Sequence, residues 1–456
     1  MSESTKGLDP RRRPTRREFL KLTAASGVTF GIASAASHAR AAGSGERIGI
    51  GVIGVGNRGD QLMNVMENCP AAQITAVCDV YQPYLNRAKE RAGASAKTYT
   101  DYRKMLEDPD VEAVVIATPD HWHAKQMIDA CRAGKDVYVE KPLSLTVSEG
   151  RRMAEVAAET KRVVQMGAQR HSAPYIREAC QAIREGAIGK VTFVRCYHLV
   201  NESPNGIGRR KVSDPPPDLD WDVWLGPAPK VPFEELVWNY KFRWFWAYSG
   251  GQMTNFGTHW IDVIQMAIPD DAPKAVVSLG GKFAVEDDRE IPDTMETIWE
   301  YPSGCLVTFS QINANDAAGS LPGAEIEFRG TTGTLYIYGN RYEIVPQEVQ
   351  GGDYPVRNPL DRDDRMDRKK LIEAKVVKGS LRVEDHMNDF LDCVKSRKPC
   401  HCDAETGHRS TTTTLIANVA YRAAARLEWD REKERFVGNR EADKYLSYRH
   451  RKPWGI

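Results

Sequence analysis

A glycine-rich turn constrains the fold of this chain more than any other feature. An apolar run over residues 48–53 leads into Gly54-Val-Gly-Asn-Arg-Gly59, and a helical pattern begins at about residue 59. Gly54 allows the tight turn, Gly56 lets the backbone approach a pyrophosphate, and Gly59 permits close packing of the helix on the strand. Asp79 follows the last of these glycines by twenty residues, the spacing at which a carboxylate binds the ribose of a dinucleotide. The pattern therefore predicts a strand, a turn and a helix that together bind a dinucleotide.

Strands and helices alternate through the first third of the chain. Apolar strand-like runs and helical patterns follow one another at residues 48–53, 59–67, 74–78, 111–117, 124–133, 137–139, 147–160 and 163–166. Alternation at this spacing predicts a parallel, doubly wound α/β sheet, the Rossmann architecture, over residues 46–168.

The pattern changes after Gln169. Strand-like runs between residues 191 and 338 are joined by tight turns such as Pro302-Ser-Gly304 and Thr331-Thr-Gly333. These runs predict a second, α+β domain with a largely antiparallel open sheet over residues 169–385. Residues 386–456 are expected to form two C-terminal helices and an irregular tail.

The N-terminus is expected to be an export signal. Arg16 and Arg17 lie in a twin-arginine pattern, a mildly apolar stretch follows over residues 22–36, and Ala39-Arg-Ala41 offers a small-x-small cleavage site. Because the apolar stretch is shorter than the roughly twenty residues that span a bilayer, we expect residues 1–41 to be removed and no stable membrane anchor to remain. Transport of the folded protein by the twin-arginine (Tat) translocase would make it periplasmic or secreted.

Charge and cysteine content argue against nucleic-acid-binding proteins, zinc proteins and proteins built on a disulfide framework. The net charge is +1, from 63 basic and 62 acidic residues, which gives no electrostatic footprint for nucleic acid. Cys400-His401-Cys402, with His408 nearby, lacks the second pair of ligands of a zinc site, so no metal is predicted. The nine cysteines are an odd number without a repeated spacing, which argues against a complete disulfide framework.

Two further motifs carry side chains suited to catalysis. Glu140-Lys141-Pro142 ends an apolar run, and the carboxyl end of a strand in an open α/β sheet is where ligands bind. A lysine is rarely buried without a partner, and burial tunes its proton affinity. Farther along, Asn255, His259 and Asp262 are spaced i, i+4 and i+7, which predicts that they share one face of a helix.

The glycine turn, the Glu140-Lys141-Pro142 motif and Gly257-Thr-His259-Trp-Ile-Asp262, in this order, resemble the Gfo/Idh/MocA family of nicotinamide-dependent sugar oxidoreductases. The resemblance spans nearly the whole chain after Arg47. In inositol dehydrogenase-like members it implies that Lys141 binds the reacting hydroxyl and that His259 takes its proton as hydride passes to the nicotinamide. Those members have aspartate where this chain has Asn255, and an amide can orient an imidazole but cannot stabilise an imidazolium electrostatically.

The same resemblance implies the cofactor and the residues that hold it. A carboxylate at Asp79 repels a 2′-phosphate, and neither Val80 nor Tyr81 supplies a cation to offset it, which favours NAD over NADP. The residues expected to bind NAD are Gly54, Gly56, Asn57, Arg58, Gly59, Asp79, Thr118, Pro119, His123, Glu140, Lys141 and Gln169.

Three residues are candidates for contact with a small carbohydrate substrate. Arg170 closes the Rossmann domain at the same crevice and could bind sugar hydroxyls or a carboxylate. Trp246 belongs to an aromatic run over residues 238–248 that has no clean periodicity, so it forms either core packing or a wall that faces the sugar. Asp262 could supply the charge missing at Asn255, or could pack between domains.

Two enzymatic functions remain open, beside a catalytically silent sugar-binding protein that Lys141 and His259 argue against. The first is an NAD-dependent oxidoreductase that acts on a sugar, polyol or sugar derivative with a tightly bound cofactor. The second is an NAD-dependent, redox-neutral glycoside hydrolase that works by oxidation and elimination. In the glycosidase-type relatives an apolar residue replaces the motif lysine, so Lys141 favours the first. The family's second-domain sheet commonly forms a dimer interface, which implies a homo-oligomer.

Overall fold

The structure, a computed structural model, describes residues 47–317, 323–350 and 368–456. The predicted export signal over residues 1–41 lies outside the described residues. Across the three described ranges, no helix combines the length and the apolar character needed to cross a membrane.

Six parallel strands form the first sheet. They are β1 (Ile48–Ile53), β2 (Ala72–Cys78), β3 (Lys97–Tyr99), β4 (Ala113–Ile116), β5 (Asp136–Val139) and β6 (Val164–Met166). Their order is β3-β2-β1-β4-β5-β6, so the winding reverses between β1 and β4, where open α/β sheets bind ligands. Strands β1, β4, β5 and β6 are buried along their whole length, as expected for a parallel sheet that is covered on both faces.

Five helices connect these strands. They are α1 (Asn57–Glu67), α2 (Gln82–Ala92), α3 (Tyr102–Leu106), α4 (Asp120–Arg132) and α5 (Val147–Thr160). Helix α5 begins where a capping box forms between Thr146 and Glu149, because each side chain satisfies a backbone N–H that the first turn leaves free. The predicted doubly wound Rossmann fold is confirmed.

Within the described ranges, the second sheet has eleven strands and is mostly antiparallel. Its members are β7 (Val191–Asn201), β8 (Ala275–Gly281), β9 (Thr294–Glu300), β10 (Leu306–Ile312), β11 (Ala314–Asn315), β12 (Ala324–Gly330), β13 (Gly333–Tyr338), β14 (Arg341–Pro346), β17 (Lys375–Lys378), β18 (Leu427–Asp430) and β19 (Arg435–Phe436). A separate hairpin pairs β15 (Glu348–Gln350) with β16 (Arg368–Lys370). Strands β7 and β10 run parallel, and the other pairs of the described sheet run antiparallel. The predicted α+β second domain is confirmed.

The remaining helices cover one face of this sheet and part of the first domain. They are α6 (Pro174–Arg184), α7 (Trp221–Leu225), α8 (Thr258–Ala267), α9 (Val383–Ser396), α10 (Ala404–Ala423) and α11 (Arg440–Asp443). Ile176 of α6, Ile261 of α8 and Ile416 of α10 share one buried cluster with strand residues of the second sheet. Helix α9 instead packs Phe390 and its neighbours against β1, α1 and Tyr138 of the first sheet.

Residues 202–250, here called the aromatic segment, pack around a hydrophobic cluster of their own. The cluster includes Leu219, Trp224, Phe233 and Phe245, all buried. Its partly buried edge includes Tyr81 of the first domain. The aromatic segment is therefore attached to the Rossmann domain beside the carboxyl end of β2.

Candidate active site

A cavity of about 340 Å³ lies at the carboxyl ends of β1, β2, β4 and β5. The first domain forms one wall, and the aromatic segment together with the start of α8 forms the other. Of the residues predicted from the sequence, those that line it are Gly54, Gly56, Asn57, Arg58, Asp79, Thr118, Pro119, His123, Glu140, Lys141, Gln169, Asn255 and His259.

The glycine turn has a shape that other residues would not permit. Gly54 has a φ of +82°, and a Cβ there would lie 2.8 Å from the backbone nitrogen of Thr118. A Cβ at Gly59 would overlap the carbonyl oxygen of Gly54, so this glycine shapes the turn without lining the cavity. Among the described side chains none caps helix α1 at Gly56. The first amides of α1 therefore remain available to an anion, as in other phosphate-binding helix N-termini.

Asp79 is held in place by the backbone at the end of β2. Its Oδ2 accepts a hydrogen bond from the amide of Val55 (2.8 Å), and its Oδ1 accepts one from the amide of Tyr81 (2.9 Å). Desolvation in the cavity wall raises the pKa of this carboxyl to about 6, and the backbone hydrogen bonds oppose the rise. The glycine turn, the uncapped helix and this fixed carboxylate together fit the pyrophosphate and the ribose of a dinucleotide.

Lys141 lies just beyond β5 and binds Asn255 across the cavity. Its Nζ donates to the side-chain oxygen of Asn255 at 2.6 Å and to the backbone oxygen at 3.1 Å. Desolvation lowers the pKa of Lys141 to about 8; the charge of Glu140 opposes this and the charge of Arg243 adds to it. Glu140 in turn accepts a hydrogen bond from Nε of Arg58 at 2.7 Å.

Asn255 therefore contacts the lysine and not the imidazole of His259. The residues Met253–Gly257 form a π-helical turn immediately before α8, an irregularity that is common at functional sites. The amide nitrogen of Asn255 donates to Gln252 at 3.0 Å, so both ends of its side chain are engaged. The catalytic role expected for Asn255 stays a prediction.

His259 is an uncharged imidazole in the cavity wall. Desolvation and the nearby charges of Lys141 and Arg170 hold its pKa well below the ordinary value of 6.5. Its Nδ1 is buried, and within the described part of the chain it has no hydrogen-bond partner. A buried polar atom normally has a partner, so a ligand hydroxyl would complete the hydrogen bonding of this ring.

His123 bridges two loops at the same edge of the sheet. Its Nδ1 lies 2.8 Å from the carbonyl oxygen of Pro142, and its Nε2 lies 2.9 Å from that of Thr118. The ring thus links the loop after β4 to the loop that carries Lys141.

The three predicted substrate contacts are not among the described residues that line the cavity. Arg170 forms a bidentate ion pair with Glu325 (2.6 and 3.0 Å). Trp246 stacks on Tyr421 with ring centroids 6.5 Å apart. Asp262, only 2% exposed, has its Oδ2 2.9 Å from Nδ1 of His171. Their roles in substrate binding stay predictions.

Sequence reasoning missed a set of cavity residues, most of them aromatic. They are Tyr81, Tyr84, Trp224, Trp238, Tyr240, Phe242, Arg243 and Phe256. The signal for Trp238, Tyr240, Phe242 and Arg243 was the aromatic run over 238–248, but a run without periodicity does not say which side chains face a ligand. The other four lie outside that run. The start of that run lines the cavity, and Trp246 near its end does not.

Comparison with known proteins identifies the family. Residues 48–168 match the model described as oxidoreductase family, NAD-binding Rossmann fold, and residues 204–336 and 372–456 match that of the oxidoreductase family, C-terminal alpha/beta domain. The chain belongs to the Gfo/Idh/MocA oxidoreductase family. The first domain of this Gfo/Idh/MocA oxidoreductase binds NAD(H).

Curated relatives of this Gfo/Idh/MocA oxidoreductase include a dehydrogenase and a glycosidase. An inositol 2-dehydrogenase/D-chiro-inositol 3-dehydrogenase of Lactiplantibacillus plantarum is 31% identical over 182 residues, which cover 39% of this chain and 51% of the relative. An alpha-N-acetylgalactosaminidase of Shewanella oneidensis is 32% identical over 206 residues, which cover 39% of this chain and 44% of the relative. The chain thus spans about half the length of these relatives.

Solved structures share the fold over most of both chains. A levoglucosan dehydrogenase in complex with NADH and levoglucosan superposes with a TM-score of 0.62 at 18% identity, covering 84% of this chain and 99% of that one. The WlbA dehydrogenase of Bordetella pertussis in complex with NADH and UDP-GlcNAcA gives a TM-score of 0.61 at 18% identity, with the same coverage.

Proposed function

We propose that this protein is an NAD-dependent oxidoreductase that oxidises a carbinol carbon of a sugar, polyol or sugar derivative while its cofactor stays bound. The observation that carries the proposal is that Lys141 and His259 line the same cavity as the glycine turn and Asp79. The surroundings of His259 hold its pKa well below 6.5, which favours the neutral imidazole. The similarity to inositol and levoglucosan dehydrogenases supports it.

The chemistry follows from the charge states of these two side chains. NAD, when bound, accepts the hydride. The ammonium of Lys141, which Asn255 holds in place, donates a hydrogen bond to the reacting hydroxyl and stabilises negative charge on its oxygen. His259 is neutral and takes the hydroxyl proton as general base. Because desolvation and the charge of Lys141 disfavour an imidazolium, we expect His259 to release that proton to water before the next turnover.

Redox-neutral glycoside hydrolysis is the second candidate. It is supported by the similarity to an alpha-N-acetylgalactosaminidase and to the glycosyl hydrolase family 109 proteins of Shewanella. The lysine at position 141 favours the oxidoreductase, since the glycosidase-type relatives are expected to carry an apolar residue there.

The fate of the product tests the choice between the two. Protein that carries NAD is mixed, in heavy water, with inositol, with levoglucosan and with an aryl N-acetylgalactosaminide. An oxidoreductase is expected to yield an oxidised sugar and bound NADH, which only a second substrate reoxidises. Release of the aglycone with no net NADH, and with deuterium beside the oxidised carbon, would replace the first function by the second.

We also propose that the protein is exported in a folded state by the twin-arginine translocase, on the strength of the pattern around Arg16 and Arg17. No free NAD pool is expected outside the cytoplasm, so the cofactor would be acquired before export and retained. Replacing both arginines by lysine is expected to leave full-length protein in the cytoplasm. Unchanged distribution on cell fractionation would remove the export proposal.

A further inference from the structure

The aromatic segment is joined by backbone hydrogen bonds to the loop that follows Asp79. The amide of Gln82 donates to the carbonyl oxygen of Asp218 at 3.1 Å, and the amide of Asp220 donates to that of Val80 at 3.0 Å. These two bonds flank an antiparallel bridge between Tyr81 and Leu219. The attachment therefore lies within two residues of the carboxylate that fits the ribose of the cofactor.

Aromatic rings close the cavity at the same place. The ring of Tyr81 packs edge-on against Tyr84, with centroids 4.9 Å apart, and against Trp238 of the aromatic segment, with centroids 5.1 Å apart. All three rings line the cavity. A Cβ at Gly56 would lie 3.3 Å from the ring of Tyr84, so the rings stand directly against the phosphate-binding turn.

Two further attachments hold the aromatic segment in place, one on the first domain and one on the C-terminal tail. Nε1 of Trp122 donates to the carbonyl oxygen of Trp224 at 2.9 Å. Arg451 donates from Nε to the carbonyl oxygen of Gly226 at 2.9 Å and from Nη1 to Asp222 at 2.8 Å. A segment that packs around its own core and is fixed at several points opens less readily than an exposed loop.

We propose that the aromatic segment is a cofactor clamp: the pairing of Leu219 with Tyr81 and the packing of Trp238 on Tyr81 must open before NAD can leave. The clamp retains NAD at the adenosine end of the cavity through successive turnovers. This role rests on NAD binding by the first domain and does not depend on which substrate is oxidised. The clamp and the proposed oxidoreductase function can therefore be disproved separately.

A reversible crosslink across the bridge tests the clamp. Tyr81 and Leu219 form a non-hydrogen-bonded antiparallel pair. In such a pair the two Cα atoms are about 4.5 Å apart. This distance lies within the range that a disulfide spans. The nine native cysteines are buried, so the double variant Tyr81→Cys, Leu219→Cys can be oxidised at the new pair. Protein loaded with NADH is mixed with excess NAD in the absence of sugar, and the release of NADH is followed by stopped-flow fluorescence.

The same protein in its two redox states is the matched control. With the disulfide formed, no NADH release is expected during the time in which the protein with reduced cysteines releases all of its NADH. Adding reductant should restore NADH release. Equal release rates in the two states, with the disulfide confirmed by mass spectrometry, would overturn the clamp.

A second variant keeps the proposal testable if the disulfide does not form. An aromatic pair contributes about 0.5–1.5 kcal/mol beyond its buried area, so Trp238→Ala is expected to speed NADH release about 2- to 12-fold. Trp238→Phe retains an aromatic ring and is expected to stay close to the wild-type rate. Release from Trp238→Ala at the wild-type rate would contradict the role of the ring contact.

Discussion

Replacing Lys141 by methionine is expected to abolish the reduction of bound NAD by a sugar in a single turnover. Methionine keeps much of the length and apolar surface of the side chain but removes the ammonium that binds the reacting hydroxyl. Absorbance of the reduced nicotinamide measures the effect. In the same assay His259→Ala should slow reduction by roughly 10²–10⁴, the usual contribution of a positioned general base.

A lysine outside the cavity provides the matched control. Lys125 on α4 forms an ion pair with Asp129 at 2.8 Å and does not line the cavity. In the Lys125→Met variant, bound NAD should therefore be reduced by the sugar at close to the wild-type rate. NADH binding, followed by fluorescence, should persist in all three variants because the glycine turn and Asp79 are untouched. Wild-type reduction rates in both Lys141→Met and His259→Ala would refute the site assignment.

Asp262→Ala is expected to lower the free energy of unfolding by about 3–5 kcal/mol. Removing one partner of a buried ion pair leaves the other without its countercharge, which is the costly case. Asp262 is 2% exposed and faces His171 at 2.9 Å, and the thiol of Cys402 donates to its other oxygen at 3.7 Å. Urea denaturation of the wild type and the variant measures the difference.

The pH dependence of that difference has a defined sign. Desolvation opposes charge on His171, but the carboxylate of Asp262 and its hydrogen bond outweigh it and raise the pKa above the ordinary 6.5. A group whose pKa is raised by folding stabilises the fold below its unfolded pKa, and this contribution is lost as pH rises through the folded pKa. The cost of Asp262→Ala should therefore be larger near pH 6 than near pH 9; a cost independent of pH would contradict the ion pair.

The sequence predicted elements best where local signals mark both ends. Helix α5 has the bounds expected from the sequence, and a capping box starts it. Strands β12 and β13 lie on either side of the predicted turn at Thr331-Thr-Gly333. Strands β14 and β17 were not predicted. Both are short and place charged residues beside apolar ones, and β17 pairs with β14 at the edge of the sheet with mostly exposed side chains.

The residues of the candidate site could be predicted from motifs, but the contacts between distant motifs could not. The glycine turn, Asp79 and the Glu140-Lys141-Pro142 motif all belong to one Rossmann unit, whose geometry follows from its topology. The contact of Lys141 with Asn255 spans 114 residues and depends on how the π-helical turn before α8 is placed. No pattern in a single sequence marks such a contact, or shows that Trp238 rather than Trp246 faces the cavity.

The packing of α9 on the first sheet has a consequence for the order of synthesis. Phe390 completes a buried cluster with Tyr138 and with residues of β1 and α1, yet it emerges from the ribosome more than two hundred residues after β6 ends at Met166. The nucleotide-binding half therefore cannot finish its core while it is being translated. It must wait, with apolar surface uncovered, until α9 has been made.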